Sequence, residues 1–329
     1  MASSRQPALL LVSFGGPEGP EDVVPFLENV TRGRGIPAAR LAEVGRHYLD
    51  VFGGVSPIND QCRALVAALQ AAQDRPVYWG NRNWFPYLTD TLAQMRTDGV
   101  EHAYAIVTSA FPSYSGCRQY REDIERAQVE GLPRVDKLRH YYCEDGFVAP
   151  LARNVEAQRL PGARLVFTAH SIPLVMAQTS GPSGGAYVEA LRTCAGLVAE
   201  RVGAPDWDLV FQSRSGPPQV PWLEPDVGDH LEKLYGGGVR EVVLVPIGFT
   251  SDHVEVVYDL DVQAVERVAG LAGMTVRRAA TVGTDPEFVS MLVGLVAERE
   301  RGPELASHGC VATHDRCPVG CCPPPPSGR

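Results

Sequence analysis

Apolar residues along the chain gather in short runs rich in Val, Ile, Leu and Phe, roughly thirty residues apart, alternating with stretches whose apolar positions recur at helical spacing. A continuous apolar run of strand length reads as a strand buried on both faces, and the alternation is that of βαβ units around a parallel sheet. In the first half the pattern predicts strands at Ala8–Ser13, Val77–Gly80, Ala103–Thr108 and Lys137–Tyr142, with helices at Pro20–Asn29, Asn59–Gln73, Tyr87–Asp98 and Cys117–Val129. In the second half it predicts strands at Arg164–Thr168, Asp208–Gln212, Glu241–Pro246 and Thr275–Arg278. The helices there are expected at Gly185–Val202, Asp226–Tyr235, Asp261–Leu271 and Asp285–Arg299. The fold class is α/β, with two halves on one plan, each a four-stranded parallel sheet flanked by helices. The expected division is 1–150, 151–300 and a tail at 301–329, with the join in the Phe147–Leu160 region.

Length supports two domains, since 329 residues is about twice the usual allowance for one. With 44% hydrophobic and 21% charged residues, the chain can build a core in each half. A net charge of -9 repels phosphate backbones and anionic headgroups, so no nucleic-acid partner is expected. The apolar run Ala8–Val12 is about a quarter of the roughly 20 residues that cross a bilayer, and Gly15-Gly16-Pro17 follows it. The expectation is a cytoplasmic protein with no signal peptide and no membrane span. Cysteines are uneven: Cys62, Cys117, Cys143 and Cys194 are scattered, while Cys310, Cys317, Cys321 and Cys322 crowd the last twenty residues. In a long chain without an export signal, such crowding points to metal or cluster ligation ahead of a disulfide framework.

In open parallel sheets ligands bind beyond the carboxyl ends of the strands. Three such ends in the second half carry polar groups: Ala169-His-Ser-Ile-Pro173, Gln212-Ser-Arg-Ser-Gly-Pro217 and Pro246-Ile-Gly-Phe-Thr-Ser-Asp-His-Val-Glu255. His170 alone could be a histidine bonded to a neighbouring loop, and His253 with Glu255 could be a cap or loop hydrogen bond. Spaced two apart, His253 and Glu255 cannot share a helical face but could point the same way in an extended turn. A histidine and a carboxylate converging in a cleft suit proton transfer near neutral pH or the holding of a divalent ion. No Gly-x-Ser-x-Gly elbow, Walker loop or Gly-x-Gly-x-x-Gly fingerprint follows any of these strands, so nucleophilic hydrolysis and nucleotide binding are not supported.

These residues resemble the ferrochelatases of haem biosynthesis in their actinobacterial form. The resemblance is carried in order by Leu9-Leu-Leu-Val-Ser-Phe-Gly-Gly-Pro17, Asn29-Val-Thr-Arg-Gly-Arg34, Phe52-Gly-Gly-Val-Ser-Pro57, Thr168-Ala-His-Ser-Ile-Pro173, Gln212-Ser-Arg-Ser-Gly-Pro217, Pro221-Trp-Leu-Glu-Pro-Asp226 and Pro246-Ile-Gly-Phe-Thr-Ser-Asp-His-Val-Glu255. It implies two Rossmann-like domains around a porphyrin cleft, and insertion of Fe(II) into a free-base porphyrin. By similarity His170 and Glu255 are the metal-site pair, with His253 in support. Ser56 and Tyr120 match positions that contact the macrocycle or its propionates, and Arg32 and Arg34 could pair with propionates or simply end a solvated helix. Phe14 stands where some relatives carry Tyr, which excludes an axial oxygen ligand from this position.

The resemblance also implies a [2Fe-2S] cluster held by Cys117, Cys310, Cys317 and Cys322, with Cys321 and Cys143 as alternatives; zinc in the same thiolates is the other reading. The implied substrates are Fe2+ and coproporphyrin III, the pathway branch of the actinobacterial relatives, and transient contact with upstream and downstream haem-pathway enzymes is expected. Protoporphyrin IX is the alternative substrate. A sirohydrochlorin-type chelatase and a non-catalytic tetrapyrrole or iron carrier are the alternative functions.

Overall fold

The computed structural model of the chain describes residues 6–33, 35–130, 133–216, 219–301 and 317–325. Two four-stranded parallel sheets form, each in its own compact unit. The first unit comprises the described residues to Thr108 with Tyr120–Leu138 and Asp252–Val254, and the second comprises Ser109–Gln119, Arg139–Ser251 and the described residues from Glu255 onward.

In the first unit, β1 (Ala8–Ser13), β2 (Val77–Asn81), β3 (His102–Val107) and β4 (Arg134–Lys137) lie in the order β2-β1-β3-β4. All six residues of β1 are buried, as a strand with parallel neighbours on both sides and helices on both faces requires. Leu88, Leu92 and Met95 of one helix and Tyr120, Ile124 and Ala127 of another pack with Leu10 and Val12. The strand expected at Lys137–Tyr142 is instead β4, three residues earlier. Its Arg-Val-Asp-Lys sequence is polar, but β4 is an edge strand paired only with β3, and charged side chains are tolerated there. The apolar run that suggested the strand is buried as a loop, with Tyr142 stacked on Phe111 at 5.6 Å and Tyr141 edge-on to Phe147 at 5.7 Å.

The helix Ala38–Phe52 is absent from the sequence reading although Leu41, Val44 and Tyr48 recur on it at helical spacing; only Gly45 is fully buried, and those three side chains are partly buried against Val23, Phe26, Leu27 and Trp84. Gly53 and Gly54 end it with φ of 61° and 86°, and a Cβ on Gly54 would stand 2.6 Å from the Pro20 backbone. The helix Asp145–Gln158 runs through the join expected at residue 150. Pro150 reads as a helix breaker in sequence, yet Phe147, Val148, Leu151 and Val155 are buried along one side. Four such side chains contribute about 1.5–3 kcal/mol each, which outweighs the roughly 3 kcal/mol cost of an interior proline.

In the second unit, β5 (Arg164–His170), β6 (Trp207–Gln212), β7 (Glu241–Val245) and β8 (Thr275–Arg278) lie in the order β6-β5-β7-β8, the same winding as the first sheet. One face is covered by Val227, Leu231, Val256, Leu260 and Ala264 packed on Val166, Val210, Val242 and Leu244. The chain winds outward from β5 to β6 and then crosses to β7 on the other side. The strand order therefore reverses between β5 and β7, and the crevice of a doubly wound sheet opens at the carboxyl ends of those two strands. Arg139 anchors the loop that leads into this unit. Its guanidinium makes a two-pronged bond to Glu298 at 2.7 and 2.6 Å and an ion pair with Glu144 at 2.9 Å, with the arginine side chain only 3% exposed.

Candidate active site

β5 ends its ladder where His170 pairs with Gln212 of β6, and from there the chain turns into Ser171-Ile172-Pro173. On its other side β5 receives the segment that follows β7: the Gly248 N–H donates to Thr168 O at 3.1 Å. Only glycine fits this approach, since a Cβ on residue 248 would stand 2.7 Å from Ala169 Cα. Beyond it, Glu255 sits in a single helical turn, Val254–Val256, that runs directly into a π-helical turn at Val257–Gln263. The extended turn expected for His253 and Glu255 is thus replaced at Glu255 by helical backbone, with His253 just ahead of the helix. The helix expected at Asp261–Leu271 becomes this π-turn followed by Ala264–Val268. A wide turn at this position re-aims the side chains that follow Glu255, and such turns are frequent at functional sites.

Glu255 Oε1 lies 3.5 Å from His170 Nε2. The imidazole Nδ1 is hydrogen-bonded to the Ser171 carbonyl, which fixes Nδ1 as the protonated nitrogen and aims Nε2 at the carboxylate. Burial works against a charged His170. The Glu255 carboxylate with its hydrogen bond, the Ser171 carbonyl and Asp259 outweigh burial and raise the imidazole to about 9. The His170 side chain is 30% exposed and that of Glu255 46%, so the carboxylate is the member of the pair that meets water. Gln212 Nε2 holds the backbone of this turn by donating to Glu255 O at 2.7 Å.

Asp259, four residues after Glu255, was missed in the sequence, although that spacing on a helix was a usable signal. It accepts a hydrogen bond from Ser213 Oγ, and burial, with Glu255 adding to it, pushes its carboxyl up to about 7. Two carboxylates and an imidazole therefore share one strand-end cluster. The His170–Glu255 pair can contact a divalent cation or pass protons, while burial holds the carboxyl of Asp259 up at about 7, where it can take or release a proton.

The other expected residues fall as follows. Ser56 and Tyr120 are in the first unit and are 4% exposed each; the Arg82 guanidinium lies 4.3 Å over the Tyr120 ring. Phe14, at the carboxyl end of β1, is exposed. Arg32 donates to Asn29 Oδ1 at 2.9 Å, and Arg34 lies outside the described residues. His253 is in the Asp252–Val254 segment, which belongs to the first unit.

Four cysteine thiols gather in the second unit. Cys117 Sγ is 3.9 Å from Cys317 Sγ, and Cys321 Sγ is 3.9 Å from Cys322 Sγ. The two pairs are neighbours, since the Cys321 thiol, pushed up to about 11 by burial and then by Cys322, also feels Cys317 and Cys117. Cys322 Sγ accepts a hydrogen bond from Gly181 N at 3.1 Å. Cys143, an alternative in the sequence reading, is disulfide-bonded and so presents no thiolate; Cys310 lies outside the described residues. Among the described residues, no three or more His, Cys, Asp or Glu side chains converge on a single ion position.

The model of the ferrochelatase family matches residues 6–300. The chain belongs to the ferrochelatase family. It is 54% identical to the coproporphyrin III ferrochelatase of Streptomyces griseus, with 98% of this chain and 96% of that protein covered. It is 51% identical to the coproporphyrin III ferrochelatase of Nocardia farcinica, with 96% of each covered. A ferrochelatase of Rhodopirellula baltica is 48% identical, over 98% of this chain and 96% of that one. Among solved structures, SirB from Bacillus subtilis with Fe3+ aligns with a TM-score of 0.56 at 14% identity, covering 89% of this chain and 95% of that one. At that identity the likeness shows the fold alone: this ferrochelatase-family chain has the two-sheet chelatase architecture expected from its sequence. No helix among the described residues is long and apolar enough to cross a membrane.

Proposed function

We propose that the chain inserts Fe(II) into coproporphyrin III to give coprohaem, in the cytoplasm and between the haem-pathway enzymes that make the porphyrin and use the product. The reading is carried by the His170–Glu255 pair, 3.5 Å apart at the strand-order reversal of the second sheet. Insertion takes up one Fe2+, breaks two pyrrole N–H bonds and releases two protons, with no change of oxidation state. His170 holds the iron through the Nε2 lone pair and takes one pyrrole proton on that nitrogen only after the iron has passed to the macrocycle; the second pyrrole proton goes to Glu255. Glu255, the more exposed partner, makes the second iron contact and passes protons to water. Asp259 stands behind them as a further carboxyl able to hold a proton. Ser56 and Tyr120 in the first unit are assigned to the porphyrin side of the reaction.

Coproporphyrin III is supported by the names of the relatives at 51–54% identity. The vinyl groups that protoporphyrin IX carries in place of two propionates call for a more apolar mouth and membrane contact, which a protein of net charge -9 with no membrane-spanning helix among its described residues disfavours. The test is anaerobic Fe(II) insertion followed by loss of free-base fluorescence. Coproporphyrin III is expected to turn over at least about tenfold faster than protoporphyrin IX. Tight binding of either porphyrin with turnover of neither overturns the enzyme reading in favour of a carrier.

We further propose that a [2Fe-2S] cluster is held by Cys117, Cys317, Cys321 and Cys322, with Cys321 taking the place of Cys310 in the set implied by the resemblance. Two thiolates on one tetrahedral metal with bonds of about 2.3 Å lie about 3.8 Å apart. Each of the two pairs has that spacing, at 3.9 Å, and two pairs suit two irons better than one ion. The Gly181 N–H aimed at Cys322 supplies the hydrogen bond that stabilises a ligating sulfur. Bound there, the cluster would supply one-electron redox chemistry, of which metal insertion has no need. Anaerobically purified protein is expected to be coloured, with visible absorption lost on Cys117→Ser. A colourless protein carrying one zinc per chain sinks the assignment.

A further inference from the structure

Tyr187 stands on the first turn of the helix Ala186–Arg201 and is 6% exposed. Its hydroxyl donates to the carbonyl oxygen of His170 at 2.8 Å. A side chain carried by a different element therefore fixes the last carbonyl of β5, where the strand gives way to the loop. Burial, and after it the charge of Glu255, keeps the phenol protonated well above neutral pH, so the donor is present throughout the working range.

The same residue is tied in the opposite direction. Its backbone N–H donates to Ser180 Oγ at 2.8 Å, and the Ser180 hydroxyl donates to Ala177 O at 2.6 Å. Ser180 is fully buried, and the N–H of the next residue, Gly181, donates to Cys322 Sγ at 3.1 Å. One short loop thus touches the cysteine pocket at one end and the backbone of His170 at the other, entirely within the second unit. A displacement of the Cys322 sulfur moves the Gly181 N–H bonded to it, and a buried, hydrogen-bonded loop transmits such a shift because close packing leaves it no slack.

We propose that Tyr187 is a positioning residue for His170, and that the Ser180–Tyr187 loop ties that position to the Cys321–Cys322 turn, so that the state of the cysteine pocket is felt at His170. The inference rests on His170 being the metal-site histidine. Groups that orient a metal-site side chain are typically worth about 10–100-fold in metal affinity.

The test uses full-length Tyr187→Phe, which keeps the ring and removes the hydroxyl. KM for Fe(II) should rise about tenfold or more, with porphyrin Kd unchanged. In metal-free, porphyrin-free protein, the rate at which diethyl pyrocarbonate modifies His170, followed by mass spectrometry of its peptide, should also change. A variant that unfolds more easily but keeps both the KM for Fe(II) and the modification rate overturns the positioning role. For the link, Cys322→Ser should alter the His170 modification rate in the native background and lose that effect in the Tyr187→Phe background. Additive effects overturn it. Ser180→Ala replaces Cys322→Ser in the same cycle should that variant not fold. His170→Ala separates the two readings. Full insertion activity in His170→Ala overturns the metal-site assignment and this inference with it, whereas an inactive His170→Ala beside an unaltered Tyr187→Phe overturns this inference alone.

Discussion

Replacing His170 with alanine abolishes Fe(II) insertion, lowering kcat by about 10³-fold or more while free-base porphyrin still binds, as fluorescence quenching will show. The size of the effect follows from the double duty of Nε2, which first holds the iron and accepts a pyrrole proton once the iron has passed to the macrocycle. Near-normal turnover in this variant would move the metal site elsewhere. The charge state of the pair adds a pH dependence with a definite sign. With its imidazole raised to about 9, metal-free His170 is protonated at neutral pH, so Fe2+ must displace a proton to bind. The KM for Fe(II) is therefore expected to fall as pH rises from 6.5 to 8.5, approaching about tenfold per unit. In Glu255→Gln the carboxylate that outweighs burial is gone, His170 loses its proton at lower pH, and the slope flattens over the same range. An equally steep slope in that variant would mean that a different group sets it.

Substituting Arg139 with leucine destabilises the second unit by about 3–5 kcal/mol, because it leaves two carboxylates facing an apolar surround without their cation. Glu144 and Glu298 are only 10% and 19% exposed, and both depend on the same guanidinium. Burial alone would make the arginine easier to deprotonate; Glu298 and Glu144 reverse that and hold it charged. Arg139→Lys restores the charge but not the two-pronged geometry, and recovers only part of the loss. The comparison is read from the midpoint of urea unfolding monitored by circular dichroism. A leucine variant whose midpoint matches the native protein would show that the triad contributes specificity of folding and not stability.

Much of the architecture was legible in the chain before any coordinates. The strand Ala8–Ser13 and the strand Thr275–Arg278 have the predicted limits, and the other strands of the second half differ by two residues or fewer at either end. Apart from Thr275-Val-Arg-Arg278, a polar edge strand, these runs are dominated by apolar residues and bounded by turn residues, which leaves the backbone few alternatives. The fourth strand was misplaced because an edge strand of charged residues carries no apolar signature, and the apolar run beside it is buried by aromatic packing that periodicity does not report. The helix Asp145–Gln158 was hidden by Pro150, whose local cost is outweighed by burial against helices distant in sequence.

The sequence by itself determined the class of fold, the two four-stranded parallel sheets, the family, and the two residue types brought together at the site, since each is written in local periodicity or in short ordered motifs. Only the tertiary structure decided which atoms meet. His170 and Glu255 are 85 residues apart and reach 3.5 Å because β5 and β7 are neighbours in the sheet and Gly248 lets the intervening segment lie against the strand. Asp259 joined them through a π-helical turn, Cys143 left the cysteine set by forming a disulfide, and Tyr187 reached the His170 carbonyl from another helix. Those outcomes depend on packing between segments far apart in the chain, where free energy is set by burial and hydrogen bonding in three dimensions and leaves no mark on the spacing of residues along one.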